Sequence, residues 1–330
     1  MTVHTPGNPA TRPDLARAFA HIAAGGGEPG GPLSDPISTM RRFVDGYGDV
    51  GPRPPLAGVV VRPVQADGVP GEWIIPERVT DDARIVYLHG GGWVAGSLHS
   101  HRPVVAALAI MTGAAVLLVD YRLAPEHPFP AGLDDCARAL AWAARSGPGG
   151  PAPASRLHLA GDSAGGNLAA AVCHRAILSG DRVPDRLVLL SPVLDGTANS
   201  ERGEEAHIGA DGAGLESVVS LYLRDGTPVE DPRVSPLNAP DEVLRGFPPC
   251  LLQASGSEYL LWDSQMFARR LAQADTRVVL SLWPGMPHVW QAFLELLPEA
   301  RLALAEIADF LRDEAQPNPI ASQAHISHEN

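Results

Sequence analysis

From about residue 57 onward, apolar runs alternate with segments whose apolar residues recur at helical spacing. Most of the apolar runs lack the polar alternation of a half-exposed strand, which indicates strands that are buried on both faces. The strand-like runs are AGVVVRPV, GEWIIP, RIVYLHG, AAVLLVDYR, RLHLAGDS, RLVLLSP, CLLQASG and RVVLSLWPG. Because helical segments such as GLDDCARALAWAARSG separate them, the pattern predicts an α/β fold with a mostly parallel central sheet flanked by helices.

Two segments break the alternation. Residues 1–56 mix helix-like pieces with a glycine- and proline-rich linker, and residues 195–245 hold polar stretches around one short helix-like piece. The first could be an N-terminal cap or a flexible lead-in, and we interpret the second as an insertion above the sheet. The core is then formed by residues 57–194 and 246–314, and the polar tail, residues 315–330, is predicted to be disordered.

The composition narrows the classes of partner. Of the 330 residues, 25 are basic and 38 are acidic, which gives a net charge of −13. Nucleic acids and anionic membrane surfaces both attract basic patches, so neither is an expected partner. The sequence also has no apolar stretch of the roughly 18 residues that span a bilayer and no recognisable secretory signal. We therefore expect a cytoplasmic protein, while the sequence leaves open whether it forms a homodimer.

The stretch LHLAGDSAGGNLAAA carries a candidate nucleophile. Its residues Gly161–Gly165 fit the pattern G-x-S-x-G between an apolar strand and a helix, which is the context that this motif requires. Such a turn lifts the Ser163 hydroxyl clear of the sheet, and the following helix directs its positive end toward the site. The alternative is a structural serine that caps the helix.

The stretch YLHGGGWVAGS ends another strand with three glycines. Glycines allow the backbone to approach a substrate closely, and inward N–H groups there could stabilise an oxyanion. The alternatives are a flexible turn or a phosphate-binding loop, but the lysine of a phosphate loop is missing. His89 is interpreted as a structural hydrogen-bonding residue rather than a base.

His288, in PGMPHVWQAF, is the best placed of the twelve histidines to act as a base. A serine hydroxyl is a poor nucleophile until an adjacent imidazole takes its proton. Serine, acid loop and histidine occur here in the chain order of α/β-hydrolases. We expect neither a metal nor a cofactor, because no histidine pair has metal-ligand spacing and the cysteines form no CxxC.

With these motifs in place, residues 57–314 resemble the hormone-sensitive-lipase family of α/β-hydrolase fold esterases. The resemblance rests on HGGGWVAGS, DYRLAPEHPFPAGLDD, GDSAGGNLA and PGMPHVWQAF. It implies Ser163 as nucleophile, His288 as general base and a helical cap made from an N-terminal cap segment, residues 1–56, and a cap insertion, residues 195–245. It further implies an oxyanion hole made by Gly90, Gly91 and the N–H of Ala164. Three residues of the second motif are interpreted as structural supports of the site: Asp120, Glu126 and His127.

The acid loop, LLQASGSEYLLWDS, departs from the family pattern. Relatives with LLxDS usually have an aspartate where this chain has Ser257, followed by a glutamate that matches Glu258. We interpret Glu258 as the triad acid, because its extra methylene can offset the shift by one residue and glutamate serves this role in other α/β-hydrolases. The alternatives are Asp263, one turn into the next helix, or another carboxylate, or no acid at all.

We therefore expect a serine carboxylesterase, and the capped site that the resemblance implies suits small to medium acyl esters as substrates. If the acid were missing, a repurposed cyclase, lyase or acyl transferase would be the alternative. A non-catalytic receptor is disfavoured because both the nucleophile and the base are present. Several apolar side chains near the motifs could line an acyl pocket or simply belong to the core: Trp93, Phe129, Trp262, Trp283, Met286 and Trp290.

Overall fold

A nine-stranded sheet forms the centre of the part of the chain that the structure describes. The computed structural model describes residues 1–4, 10–26, 35–51, 53, 56–197, 202, 212–224 and 226–313. The predicted tail, residues 315–330, lies outside these ranges. The strands are β1 (Thr2–Val3), β2 (Val59–Ala66), β3 (Val69–Pro76), β4 (Arg84–Leu88), β5 (Ala115–Val119), β6 (Ser146–Gly147), β7 (Gly150–Pro151), β8 (Leu157–Asp162), β9 (Arg186–Leu190), β10 (Cys250–Ser255) and β11 (Val278–Trp283).

Helices occupy both faces of this sheet and its carboxyl end. The α-helices of the described residues are α1 (Pro13–Ala23), α2 (Pro36–Asp45), α3 (Leu98–Thr112), α4 (Ala131–Arg145), α5 (Ser163–Ser179), α6 (Gly212–Tyr222), α7 (Asp241–Leu244), α8 (Leu261–Gln273) and α9 (Pro298–Arg312). Two short 3₁₀ helices cover Pro236–Asn238 and Trp290–Ala292.

The strand order is β1-β11-β10-β9-β8-β4-β5-β3-β2, and β6 and β7 form a separate small hairpin. Along this order, each pair of neighbouring strands is parallel until β5 is reached. The last two pairs, β5 with β3 and β3 with β2, are antiparallel. The predicted mostly parallel central sheet is therefore confirmed. In such sheets ligands bind outside the carboxyl ends of the strands, which is where the candidate motifs lie.

Apolar strands without alternation are buried on both faces, as predicted. Every residue of β4, β5, β8, β9 and β10 is buried. On one face these strands pack against α4, α5 and α8, and on the other face they pack against α3 and α9. Two apolar layers thus fix the sheet that carries the site.

The described parts of residues 1–56, predicted as one cap segment, have two different placements. Thr2 and Val3 extend the sheet by pairing with β11, and α1 packs its Leu15, Ala18 and Ile22 in an apolar cluster that includes Trp290. In contrast, α2 and α6 contribute side chains to a cavity above the sheet. A two-residue strand has too little periodicity to be recognised from sequence.

Helix α2 is anchored to the core through its C-terminal half. The guanidinium of Arg41 donates to the carbonyl of Val94 at 2.9 Å and pairs with Glu126 at 2.7 Å. At the last residue of the helix, the Ser97 hydroxyl donates to the Asp45 carboxylate at 2.6 Å. Glu126, predicted as a support, therefore holds the helix that covers the cavity. None of the helices in the described ranges has the length and hydropathy needed to cross a membrane.

Candidate active site

Ser163 lies at the sharp turn between β8 and α5. It has φ 51°, a left-handed conformation that is uncommon for a residue other than glycine. A Cβ at Gly161 would lie 2.4 Å from the carbonyl oxygen of Gly165, and a Cβ at Gly165 would lie 2.1 Å from that of Leu88. Both glycines of the motif are therefore required by backbone that approaches too closely for any side chain.

A chain of hydrogen-bonding groups connects Ser163 to a carboxylate. His288 Nε2 lies 3.1 Å from the Ser163 hydroxyl oxygen, and His288 Nδ1 lies 2.6 Å from Glu258 Oε2. The other carboxylate oxygen of Glu258 accepts the Ser255 N–H at 2.7 Å, and the residue is 7% exposed. The structure thus brings together the three side chains that the sequence suggested as nucleophile, base and acid.

Ser257 occupies the place of the aspartate in the family pattern, but its side chain makes a different contact. Its hydroxyl oxygen accepts the Gly285 N–H at 3.1 Å. The neighbouring Ser255 hydroxyl donates to the Met286 carbonyl at 2.6 Å. These two bonds tie the loop of Glu258 to the loop that leads to His288.

Asp263, the alternative acid, faces Arg202 and not His288. Its buried carboxylate accepts hydrogen bonds from the Arg202 Nε at 2.6 Å and Nη2 at 2.8 Å, and from the N–H groups of Leu194 and Asp195. Burial raises the pKa of Asp263 to about 6, although the charge and hydrogen bonds of Arg202 oppose the rise. The Asp263 carboxylate therefore connects α8, on which it lies, to the segment that follows β9.

The glycine loop after β4 forms a wall beside Ser163. Gly90 and Gly91 line the same cavity as Ser163 and His288. A Cβ at Gly90 would lie 2.2 Å from the Asp162 carboxylate, and Gly91 has φ 122°, so glycine is needed at both positions. Ala164, the third predicted oxyanion donor, lies in the first turn of α5, where backbone N–H groups have no acceptor within the helix.

His89 braces this loop from beneath. Its fully buried ring stacks on Tyr121 with 4.3 Å between centroids, and the Tyr121 hydroxyl donates to the His89 carbonyl at 2.6 Å. The ring Nδ1 lies 2.9 Å from the Gly90 carbonyl. Burial, together with the neighbouring His101, lowers the pKa of His89 to about 4. These contacts fit the structural role that the sequence suggested.

The neutral His89 predicts an acid-labile fold. Between the ordinary pKa of 6.5 and about 4, the unfolded state binds a proton that the folded state does not, so the free energy of unfolding falls as the pH falls through this range. Denaturant titrations at several pH values should show that the free energy of unfolding falls less in His89→Asn than in wild type. Over this pH range, the difference between the two falls should reach up to about 3 kcal/mol. Equal pH dependence in both proteins would contradict the assignment.

Asp162 and His101 form a buried pair that the sequence did not reveal. The Asp162 carboxylate accepts a hydrogen bond from the Tyr87 hydroxyl at 2.9 Å and lies 3.2 Å from His101 Nε2. Burial acts to raise the pKa of Asp162, but its interactions with His101 and Tyr87 hold the pKa below the usual range. Because Asp162 immediately precedes Ser163, the pair fixes the base of the nucleophile turn.

The candidate substrate cavity has a volume of about 140 Å³. One side of it is apolar and is formed by residues of α2 and α6: Met40, Phe43, Val44, Leu215 and Val218. Met40, Phe43, Val44 and Tyr47 have the spacing i, i+3, i+4, i+7. The helical pattern of ISTMRRFVDGYG could therefore have identified these four cavity residues from the sequence. Of the six apolar candidates near the motifs, Trp93 lines this cavity, whereas Trp283, Met286 and Trp290 belong to an apolar cluster with α1.

A metal centre is not evident in the described ranges. They contain no group of three or more histidine, cysteine, aspartate or glutamate side chains arranged to hold a metal ion. The three cysteines, Cys136, Cys173 and Cys250, are buried and unpaired with one another.

Comparisons with known proteins identify the family of the chain. The model of an alpha/beta hydrolase fold family matches residues 85–292. An esterase from Acinetobacter venetianus is 38% identical over 76% of this chain and 82% of its own length. An acetyl-hydrolase from Streptomyces hygroscopicus is 37% identical over 73% of this chain and 79% of its own length.

A solved structure extends the likeness to nearly the whole chain. It is an esterase from the bacterial hormone-sensitive lipase family, with 35% identity and a TM-score of 0.81 over 92% of this chain and 98% of its own. The family model and the relatives together confirm the family that the motifs indicated. The chain therefore belongs to the hormone-sensitive-lipase family of α/β-hydrolase fold esterases and is a carboxylic ester hydrolase.

Proposed function

We propose that this protein hydrolyses esters through an acyl intermediate on Ser163. The observation that carries the proposal is the continuous chain from the Ser163 hydroxyl through His288 to Glu258, at 3.1 Å and 2.6 Å. Both distances are within hydrogen-bond reach, as proton transfer requires. The relatives named as esterases and an acetyl-hydrolase support the same type of reaction.

In this mechanism His288 Nε2 takes the hydroxyl proton while Ser163 attacks the ester carbonyl carbon. The imidazolium that forms is stabilised by Glu258 at Nδ1, and its proton is then given to the departing alkoxide. Water, activated by the same imidazole, attacks the acyl-serine and releases the acid. A buried carboxylate that already accepts the Ser255 N–H needs little reorganisation during these steps.

The negative oxygen of each tetrahedral intermediate is proposed to lie among the N–H groups of Gly90, Gly91 and Ala164. The close approach of the glycine loop to the Ser163 turn supports this assignment. Loss of one such donor typically costs about 10²–10³ in kcat.

The proposed substrates are esters with small to medium acyl groups. A cavity of about 140 Å³, closed on one side by α2 and α6, supports a compact acyl group better than a long chain. We propose that these two helices form the cap. The repurposed cyclase or lyase depended on a missing acid, and the contact of Glu258 with His288 favours hydrolysis over that alternative.

Covalent trapping tests the mechanism directly. A fluorophosphonate should inactivate the enzyme with one label per chain, and mass spectrometry of the digested protein should place that label on Ser163. With p-nitrophenyl butyrate, rapid mixing should show a burst of p-nitrophenol wherever deacylation is the slower step. Steady ester turnover with the label absent, or with the label on another residue, would refute the acyl-Ser163 proposal.

A further inference from the structure

We infer that Tyr47, in the segment that follows α2, is a positioning residue that holds the peptide unit after His288 in the conformation needed for catalysis. The inference rests on the proposed function, because it takes His288 as the base. It adds a direct connection between the cap and the triad.

The first observation is a hydrogen bond from the cap to the backbone of the triad histidine. The Tyr47 hydroxyl donates to the main-chain carbonyl of His288. Burial, with the negative charges of Glu258 and Asp162 nearby, raises the pKa of the Tyr47 phenol, so it keeps its proton and remains a donor. The contact therefore acts on the His288 backbone and leaves the ring free to bind Ser163 and Glu258.

The second observation is the conformation of the next residue. Val289 has φ 48° and ψ 48°, in the left-handed region where a β-branched residue is an outlier. The carbonyl of His288 and the N–H of Val289 belong to one peptide plane. The Tyr47 hydroxyl binds the carbonyl oxygen of this peptide unit, and the Ser191 hydroxyl oxygen lies 3.4 Å from its nitrogen, the amide N of Val289. Such conformations persist where surrounding contacts over-determine them, and they are concentrated at functional sites.

The third observation is that Tyr47 is itself firmly placed. Its ring makes edge contacts with Phe43 at 5.5 Å and Phe293 at 5.2 Å between centroids. A Cβ at the adjacent Gly48 would lie 2.5 Å from the Ala292 carbonyl, so this segment packs tightly on the turn after His288. The hydroxyl thus acts from a fixed position.

The test is Tyr47→Phe, which keeps the ring and removes only the donor. Loss of one hydrogen bond that acts on the transition-state geometry should lower kcat for p-nitrophenyl butyrate about 3- to 10-fold. KM should stay near the wild-type value, because the ring still lines the cavity. The rate of fluorophosphonate labelling should fall by the same factor, since it reports activation of Ser163 without ester turnover.

The Val289→Gly background distinguishes positioning from a general structural role. Glycine adopts the left-handed conformation without cost, so the hydroxyl of Tyr47 should be almost dispensable there. The effect of Tyr47→Phe on kcat should therefore be much smaller in this background than in wild type, which a double-mutant cycle measures. Equal effects in the two backgrounds would overturn the inference.

Asp35→Ala is the matched control for a loosened cap. Its carboxylate caps the N-terminus of α2 by accepting the Ile37 and Ser38 N–H groups, far along the helix from Tyr47. If Asp35→Ala reproduces both the kcat loss and the dependence on Val289, the effect belongs to the cap in general and the inference is wrong. A Tyr47→Phe protein with wild-type kcat also overturns it, whereas failure of the proposed function would appear separately as activity that survives Ser163→Ala.

Discussion

Ser163→Ala should lower kcat for p-nitrophenyl butyrate by about 10⁴-fold or more. The remaining site can still bind the ester and stabilise an oxyanion, but it has no hydroxyl from which His288, at 3.1 Å, can take a proton. Hydrolysis must then use a bound water in place of the serine. Steady-state assays at enzyme concentrations high enough to detect the residual rate measure the loss, and rapid mixing should show that the burst has disappeared.

Ser100 provides a control for this substitution, because it is a second serine in the wall of the same cavity. Its hydroxyl lies 2.8 Å from His101 Nδ1 and not at the His288 ring. Ser100→Ala should keep the burst and lose far less activity. If Ser163→Ala retained most of its kcat, the acyl-enzyme mechanism would be excluded.

Glu258→Gln should lower kcat by about 10⁴-fold while the fold remains intact. An amide has nearly the same shape as the carboxylate but cannot stabilise the imidazolium, and it can favour the wrong tautomer of His288. Because His288 Nδ1 and Glu258 Oε2 are only 2.6 Å apart, the loss of kcat should come from removing the negative charge of Glu258. Circular dichroism and a melting curve should separate the catalytic defect from unfolding.

Asp263→Asn is the matched control, since it makes the same chemical change five residues along the chain. It leaves the fully buried guanidinium of Arg202 without its charged partner, so the free energy of unfolding should fall by about 3–5 kcal/mol. Activity per folded molecule should stay close to wild type. The opposite pattern, an active Glu258→Gln and a folded but inactive Asp263→Asn, would move the triad acid to Asp263.

Much of the site could be predicted because its signals are local in sequence. The GDSAG turn requires glycines at fixed offsets from Ser163, and the strands before it and before His288 are mostly apolar runs. Parallel strands place their carboxyl ends at one edge of the sheet, so residues 125 positions apart could be expected to meet.

The acid could not be assigned in the same way, because the choice depends on contacts between distant parts of the chain. Glu258 and Asp263 are both carboxylates near the start of α8, and sequence alone does not show that Arg202 binds one of them. Likewise, no local pattern connects Asp162 to His101 or the Tyr47 hydroxyl to the His288 carbonyl. The short β1 was missed because two residues carry no measurable period.

The hydrogen bond from Gly285 to Ser257 has a consequence for how such sites diverge. In this chain, position 257 secures the adjoining loop, while the carboxylate at position 258 reaches the imidazole through its additional methylene. A predecessor with acidic residues at both positions could lose the first without ever being inactive. If Glu258 is the acid, as proposed, a carboxylate one residue further along can thus serve the imidazole while position 257 has a purely mechanical task.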